Sequence, residues 1–139
     1  MPAQTRGAIC HQTKKINLLL DSSMEAEAIG SSKCGELISY AREILRLLGV
    51  NLEQPTVLLT DNKANLLVAT NTASATRSRH FLRRYVALQQ RLAAGECQLI
   101  KVPDPHMPAD FLTKWINREK LKQSVRYATN ATSCVTPPP

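Results

Sequence analysis

TVLLTDNKANLLVA, residues Thr56–Ala69, is the stretch whose reading decides the fold. An apolar run, Val57, Leu58 and Leu59, stops at Thr60, Asp61 and Asn62, and a second apolar set, Ala64, Leu67 and Val68, follows at helical spacing. The pattern predicts a buried strand, an acid at its carboxyl end and a helix packing back on the sheet. Ligands of open α/β sheets gather at the carboxyl ends of strands, which makes Asp61 a candidate site residue. Asp is also a favoured helix N-cap, and this stretch alone weighs the two roles about evenly.

Working outward, the order of elements is that of an α/β domain. Gly7 to Gln12 and Ile16 to Leu20 are expected to form a hairpin. Ser22-Ser23-Met24-Glu25 has the spacing of a capping box and opens a helix to about Leu48, ended by Gly49. Ile29, Leu37, Ala41, Ile44, Leu45 and Leu48 are its expected core face, with Gly30 and Gly35 lowering its intrinsic stability. Arg77 to Ala94 reads as a second long helix with Phe81, Tyr85, Leu88 and Leu92 on one stripe and Arg77, Arg84 and Arg91 along its border. Glu96 to Val102 reads as a strand. Pro108 then opens a last helix through Phe111, Leu112, Trp115, Ile116 and Leu121, with Asp110 in its first turn. Residues 1–126 are expected to form the domain and 127–139 an unpatterned tail.

The chain of 139 residues carries 18 Lys and Arg against 11 Asp and Glu, a formal charge of +7. That surplus favours polyanions, nucleic acid first among them. The four cysteines, Cys10, Cys34, Cys97 and Cys134, lack zinc-site spacing and suit a reduced, intracellular setting, cytoplasm or nucleus. The longest apolar run, Ile16 to Leu20, is too short to span a bilayer, and the first residues lack the apolar core of a signal peptide.

Three acids occupy comparable boundaries: Glu27 one turn into the first helix, Asp61 after a strand, and Asp110 at the start of the last helix. Acids among apolar neighbours are costly unless exposed at a rim or gathered around cations. Carboxylates in such a cluster suit Mg²⁺ or Mn²⁺, and two such ions can drive phosphodiester hydrolysis. Each acid also has a local explanation as a cap or a partner of the helix dipole.

Four segments in register resemble the RNase H domain of copia-type retrotransposon Pol polyproteins. SSMEAEAIG is similar to the family's SSTEAEY, and TDNKANLLVA to its CDNxxA strand. RSRHFLRRYVALQQRL is similar to its RTKHIxxRYHFIRE helix, and VPDPHMPADFLTK to its VPTxxQxADxxTK ending. The resemblance runs from about Gly7 to Leu121. It implies an RNase H-like mixed sheet flanked by helices, and two-metal hydrolysis of the RNA strand of RNA–DNA hybrids by four carboxylates. Glu27, Asp61 and Asp110 match the second, third and fourth of these, while Glu25 is better read as the capping-box partner. No residue matches the first acid or its opening strand; Asp21 does not fit that motif. The expectation is an incomplete copy, or the tail of a longer polyprotein with a reverse transcriptase upstream, not competent alone as a nuclease.

Asn62, Arg77, Arg79, His80 and Arg84 are the candidate contacts to a nucleic-acid backbone. A solvated helix face is the usual reading of such a basic run, and the resemblance shifts the balance toward substrate. His106, four residues before Asp110, is either a helper in proton transfer or an exposed loop residue. Two other readings stand beside the nuclease: a non-catalytic nucleic-acid-binding remnant, and an unrelated basic α/β interaction domain whose acids are only caps.

Overall fold

In a computed structural model, the structure describes residues 8, 10–13, 23–70, 82–129 and 131. The elements in order are α1 (Ser23–Leu47), β1 (Thr56–Thr60), α2 (Lys63–Thr70), α3 (Leu82–Ala93) and β2 (Cys97–Lys101). Two 3₁₀ turns, Asp104–His106 and Asp110–Leu112, follow, and then α4 (Arg118–Ala128). The chain divides into two compact units, a larger one over Leu18–Lys101 and a smaller one of Met1–Asn17 with Val102–Pro139.

The larger unit is α/β, as the sequence predicts. β1 and β2 pair in parallel, from Thr56 opposite Cys97 to Thr60 opposite Lys101. A parallel pair needs a long crossover, and the segment between these strands contains α2 and α3. Leu58 and Thr60 are buried on β1, Cys97 and Leu99 on β2. They join Ala28 and Ile38 of α1, Ala69 of α2, and Tyr85 and Leu88 of α3 in one core, with Ile29, Leu66 and Leu92 packed on it. The α3 stripe is as expected for Tyr85, Leu88 and Leu92. Phe81 lies outside the described residues. On α2 it is Leu66 and Ala69 that reach the core, while Leu67 is half-exposed.

The buried face of α1 is not the one its large apolar residues suggest. Leu37, Ile44, Leu45 and Leu48 are exposed, and the inward stripe is Glu25, Ala28, Ser31, Ser32, Gly35, Ile38 and Arg42. The cause is closeness of approach. A Cβ at Gly35 would meet Arg91 Cδ at 3.3 Å and Leu88 Cδ1 at 3.4 Å. Small residues on α1 therefore leave room for the long side chains of α3, and the bulky residues of α1 are turned outward. Arg91 Nε donates to Ser39 Oγ at 3.0 Å, which donates to Glu96 Oε2 at 2.6 Å, so α1, α3 and the approach to β2 share one polar link.

Both long helices end alike. Gly49 (φ 79°) donates to Arg46 O and Val50 to Leu45 O; Gly95 (φ 68°) donates to Leu92 O and Glu96 to Arg91 O. This paired pattern satisfies the last carbonyls and requires a left-handed residue, for which glycine is suited. Arg42, 5% exposed, then holds the loop after α1: its Nη1 donates to Gln54 O and Thr56 Oγ1, and its Nη2 to Leu52 O.

In the smaller unit the expected continuous last helix is broken. Asp110 belongs to a 3₁₀ turn, and α4 begins only after Asn117, whose side chain accepts from the Lys120 N–H. Asn117 offers a better start than any residue at Pro108, because its oxygen satisfies an orphan amide. α4 also runs through Tyr127 and Ala128, two residues into the expected tail. Of the expected hairpin, Ala8, Cys10, His11 and Gln12 have no strand assignment, and the rest lies outside the described residues. The Ala8 N–H instead donates to Ala128 O at 2.8 Å.

The two helical glycines of α1 should respond differently to alanine. Nothing lies within 4 Å of a Cβ at Gly30, so Gly30→Ala should stabilise by about 0.5–1 kcal/mol through helix propensity alone. Gly35→Ala meets the α3 contacts and should gain less or lose stability. Equal gains in urea melts would refute the close approach of α1 to α3.

Candidate functional site

In the larger unit, β1 delivers its acid as the sequence suggests. Thr60 is 2% exposed, and its Oγ1 accepts from the Asn62 N–H at 3.2 Å, turning the chain out of the strand. Asp61 and Asn62 are half-buried in that turn. Asn62 O accepts from the Leu66 N–H, the first intrahelical bond of α2, so the N-cap position is Asn62 and not Asp61. The cap role weighed for Asp61 thus falls on its neighbour.

Glu27 is half-buried on the second turn of α1, while Glu25 is the more buried of the two at 8% exposure. Both act on Tyr85. Burial raises the Tyr85 phenol above its ordinary pKa, and the negative charges of Glu27 and Glu25 raise it further. Its hydroxyl is buried without a hydrogen-bond partner among the described residues. Arg84, half-buried on α3, faces α1 closely enough for its charge to act on Glu36. The Glu36 carboxyl is held below the ordinary range mainly by its hydrogen bond from Lys33, with smaller help from Arg91 and Arg84.

The smaller unit contains Asp110, buried at 4% exposure, and it is already furnished with cations. Lys114 Nζ lies 3.0 Å from Asp110 Oδ1, and Lys120 Nζ 2.6 Å from Asp110 Oδ2. Lys120 also reaches Asp104 Oδ2 at 3.0 Å, so one ammonium bridges two carboxylates. Lys120 points inward from α4, together with Gln123, Ser124 and Tyr127. Tyr127 Oη accepts from Gln123 Nε2 at 2.6 Å and is 2.8 Å from His106 Nδ1. His106 is therefore half-buried and hydrogen-bonded, not an exposed loop residue.

This furnishing tests the fit of a divalent ion. Two carboxylates, Asp104 and Asp110, already face two ammonium groups, Lys114 and Lys120. A divalent cation entering there would have to compete with both ammonium groups for the carboxylate oxygens. The carboxylates are hard oxygen donors of the kind Mg²⁺ or Mn²⁺ takes, while the two ammonium groups oppose such an ion.

Comparison with known proteins gives the chain an ancestry. It is 26% identical over 116 residues to the retrovirus-related Pol polyprotein from transposon TNT 1-94 of Nicotiana tabacum, covering 84% of this chain and 9% of that protein. It is 26% identical over 110 residues to the corresponding polyprotein from transposon RE2 of Arabidopsis thaliana, covering 79% of this chain and 8% of that one. The similarity supports a retrotransposon Pol origin. The chain spans less than a tenth of the length of these Pol relatives. No family model and no solved structure matches it. Among the described residues no helix is long and apolar enough to cross a membrane.

Of the residues expected at the site, Glu27, Asp61, Asn62 and Arg84 lie in the larger unit and Asp110 in the smaller. Arg77, Arg79 and His80 lie outside the described residues. Sequence reasoning missed Lys120. Its signal was present only as a lysine ten residues after Asp110, which no helical or strand periodicity connects across the break before α4.

The ion pair at Asp110 implies a pH window. Burial pushes the Asp110 carboxyl upward, but the hydrogen bonds from Lys120 and Lys114 outweigh it and the pKa lies below the ordinary range. The stability Asp110 adds is thus present above the ordinary carboxylate range and is lost as acid lowers the pH through the depressed value. The hydrogen bond to Asp110 is the largest influence on Lys120, whose pKa is raised despite some opposing desolvation. Its contribution is present below the ordinary lysine range and lost as pH climbs through the raised value. Lys120→Met should lower the melting midpoint by several degrees near neutral pH, and the deficit should shrink in acid. A deficit independent of pH would mean that the packing of Lys120, not its charge, supports the turn.

Proposed function

We propose that the chain is the C-terminal part of a retrotransposon RNase H domain, which binds RNA–DNA hybrid and does not by itself hydrolyse the RNA strand. The Pol similarity, extending over most of the chain, supports the retroelement half of this reading. The half-buried Asp61, one residue past β1 and outside the cap position of α2, supports the reading of an inherited acid at the strand end. One observation carries the loss of catalysis: Lys120 bridges Asp104 and Asp110, and Lys114 takes the other Asp110 oxygen. The ions this reading implies, Mg²⁺ or Mn²⁺, would have to displace a tethered ammonium to reach Asp110.

Binding without hydrolysis follows from the remaining chemistry. The chain is strongly basic, and Arg84 extends the line of arginines that leads into α3. Arginine contacts to phosphate give affinity with little sequence preference, and that affinity falls with salt. Asn62, in the turn beside Asp61, is a second candidate for contact with the substrate backbone, through a hydrogen bond from its side chain.

Incubated with a labelled RNA–DNA hybrid and Mg²⁺ or Mn²⁺, the 139-residue chain should bind and leave the RNA intact. Binding should weaken steeply with added salt, and Arg84→Ala should weaken it about two- to fivefold at low salt. Cleavage that disappears in Asp61→Asn would overturn the inactive reading. Binding that ignores salt would overturn the nucleic-acid reading altogether.

A further inference from the structure

α4 is built inside out. Its inward side is polar: Lys120, Gln123, Ser124 and Tyr127 are half-buried or buried, and Ser124 is 1% exposed. Its outward side bears Leu121 and Val125, 42% and 44% exposed, one helical turn apart. Arg118, Lys122 and Arg126 recur every four residues beside them, all exposed. With 3.6 residues per turn, these five residues share one face. Lys122 pairs with Glu119 at 3.1 Å, while no ion pair holds Arg118 or Arg126 among the described residues. Just ahead of this helix stands Trp115, 101% exposed and the single tryptophan of the chain. Large aromatic side chains are seldom left wholly in water by a fold that could cover them.

We propose that Trp115 and the outward face of α4 form a binding surface for single-stranded nucleic acid. Trp115 supplies a stacking platform for a base, and Arg118, Lys122 and Arg126 run beside it for successive phosphates. Combining an aromatic platform with a basic track is how sequence-tolerant single-strand binding is achieved. Charge complementarity selects a polyanion, and the fully exposed indole selects one with free base faces. A duplex does not offer these, because its bases are covered above and below. Leu121 and Val125 provide apolar contact for sugars and base edges between the cations. The surface lies wholly in the smaller unit and uses none of the acids discussed above. It rests on the nucleic-acid reading only for the choice of polyanion over other acidic partners.

The lone tryptophan makes the test direct. Titration of the 139-residue chain with a twelve-residue oligothymidylate should quench its fluorescence, and an abasic oligomer of equal length should quench far less. By anisotropy of a labelled oligothymidylate, Trp115→Ala should bind about tenfold more weakly, at unchanged thermal stability because the side chain touches no core. Arg118→Gln combined with Arg126→Gln should flatten the salt dependence. Saturable oligothymidylate binding without any change in fluorescence would overturn the proposal. So would an equal response to the abasic oligomer, or a blue shift with anionic phospholipid vesicles and none with oligothymidylate. The two readings fail separately. Loss of hybrid binding with the oligothymidylate response intact removes the RNase H reading alone, and hybrid binding with an unresponsive Trp115 removes this surface alone.

Discussion

Parallel pairing of Thr56–Thr60 with Cys97–Lys101 is the constraint from which the larger unit follows. Two parallel strands cannot be joined by a tight turn, so the chain between them must leave the sheet and return. α2 and α3 lie on that return, and their apolar residues meet α1 over the strands. The same pairing decides where chemistry can sit. β1 ends at Thr60, whose hydroxyl receives the Asn62 amide, and the acid between them is held at the strand terminus instead of entering the helix.

Arg42 shows how the approach to that strand is fixed. A guanidinium 5% exposed with only neutral acceptors is an expensive element, yet two of its contacts fall on the short loop between α1 and β1 and a third on Thr56, the first residue of β1. Loop carbonyls that would otherwise need water are gathered onto one cation. Leu48 and Val50 of this loop are exposed, and a long charged residue from the preceding helix holds the loop in their place.

The strand–acid–helix order around Asp61, the α3 stripe through Tyr85, Leu88 and Leu92, and the glycine stops at Gly49 and Gly95 were legible because each is a local pattern. The orientation of α1 was not. Periodicity picks out Leu37, Ile44 and Leu48, but packing rewarded the small side, where Gly35 admits Leu88 and Arg91. That preference exists only once a partner helix is present. The break between Asp110 and α4 was missed for a related reason: Pro108 is a good helix start, and the competing cap at Asn117 gains from tertiary contacts of Lys120 that sequence spacing does not reveal. Glu25 likewise read as a cap partner, although its burial beside Tyr85 gives it a place in the interior.

The Lys120 bridge makes the cation a covalent part of the polypeptide. A dissolved ion fills its site according to its concentration, whereas a side chain on a short tether is present at a high effective concentration in every medium. Chelators cannot remove it, and a cell short of magnesium does not empty it. Wherever the chain is made, the counter-charge for Asp104 and Asp110 is made with it.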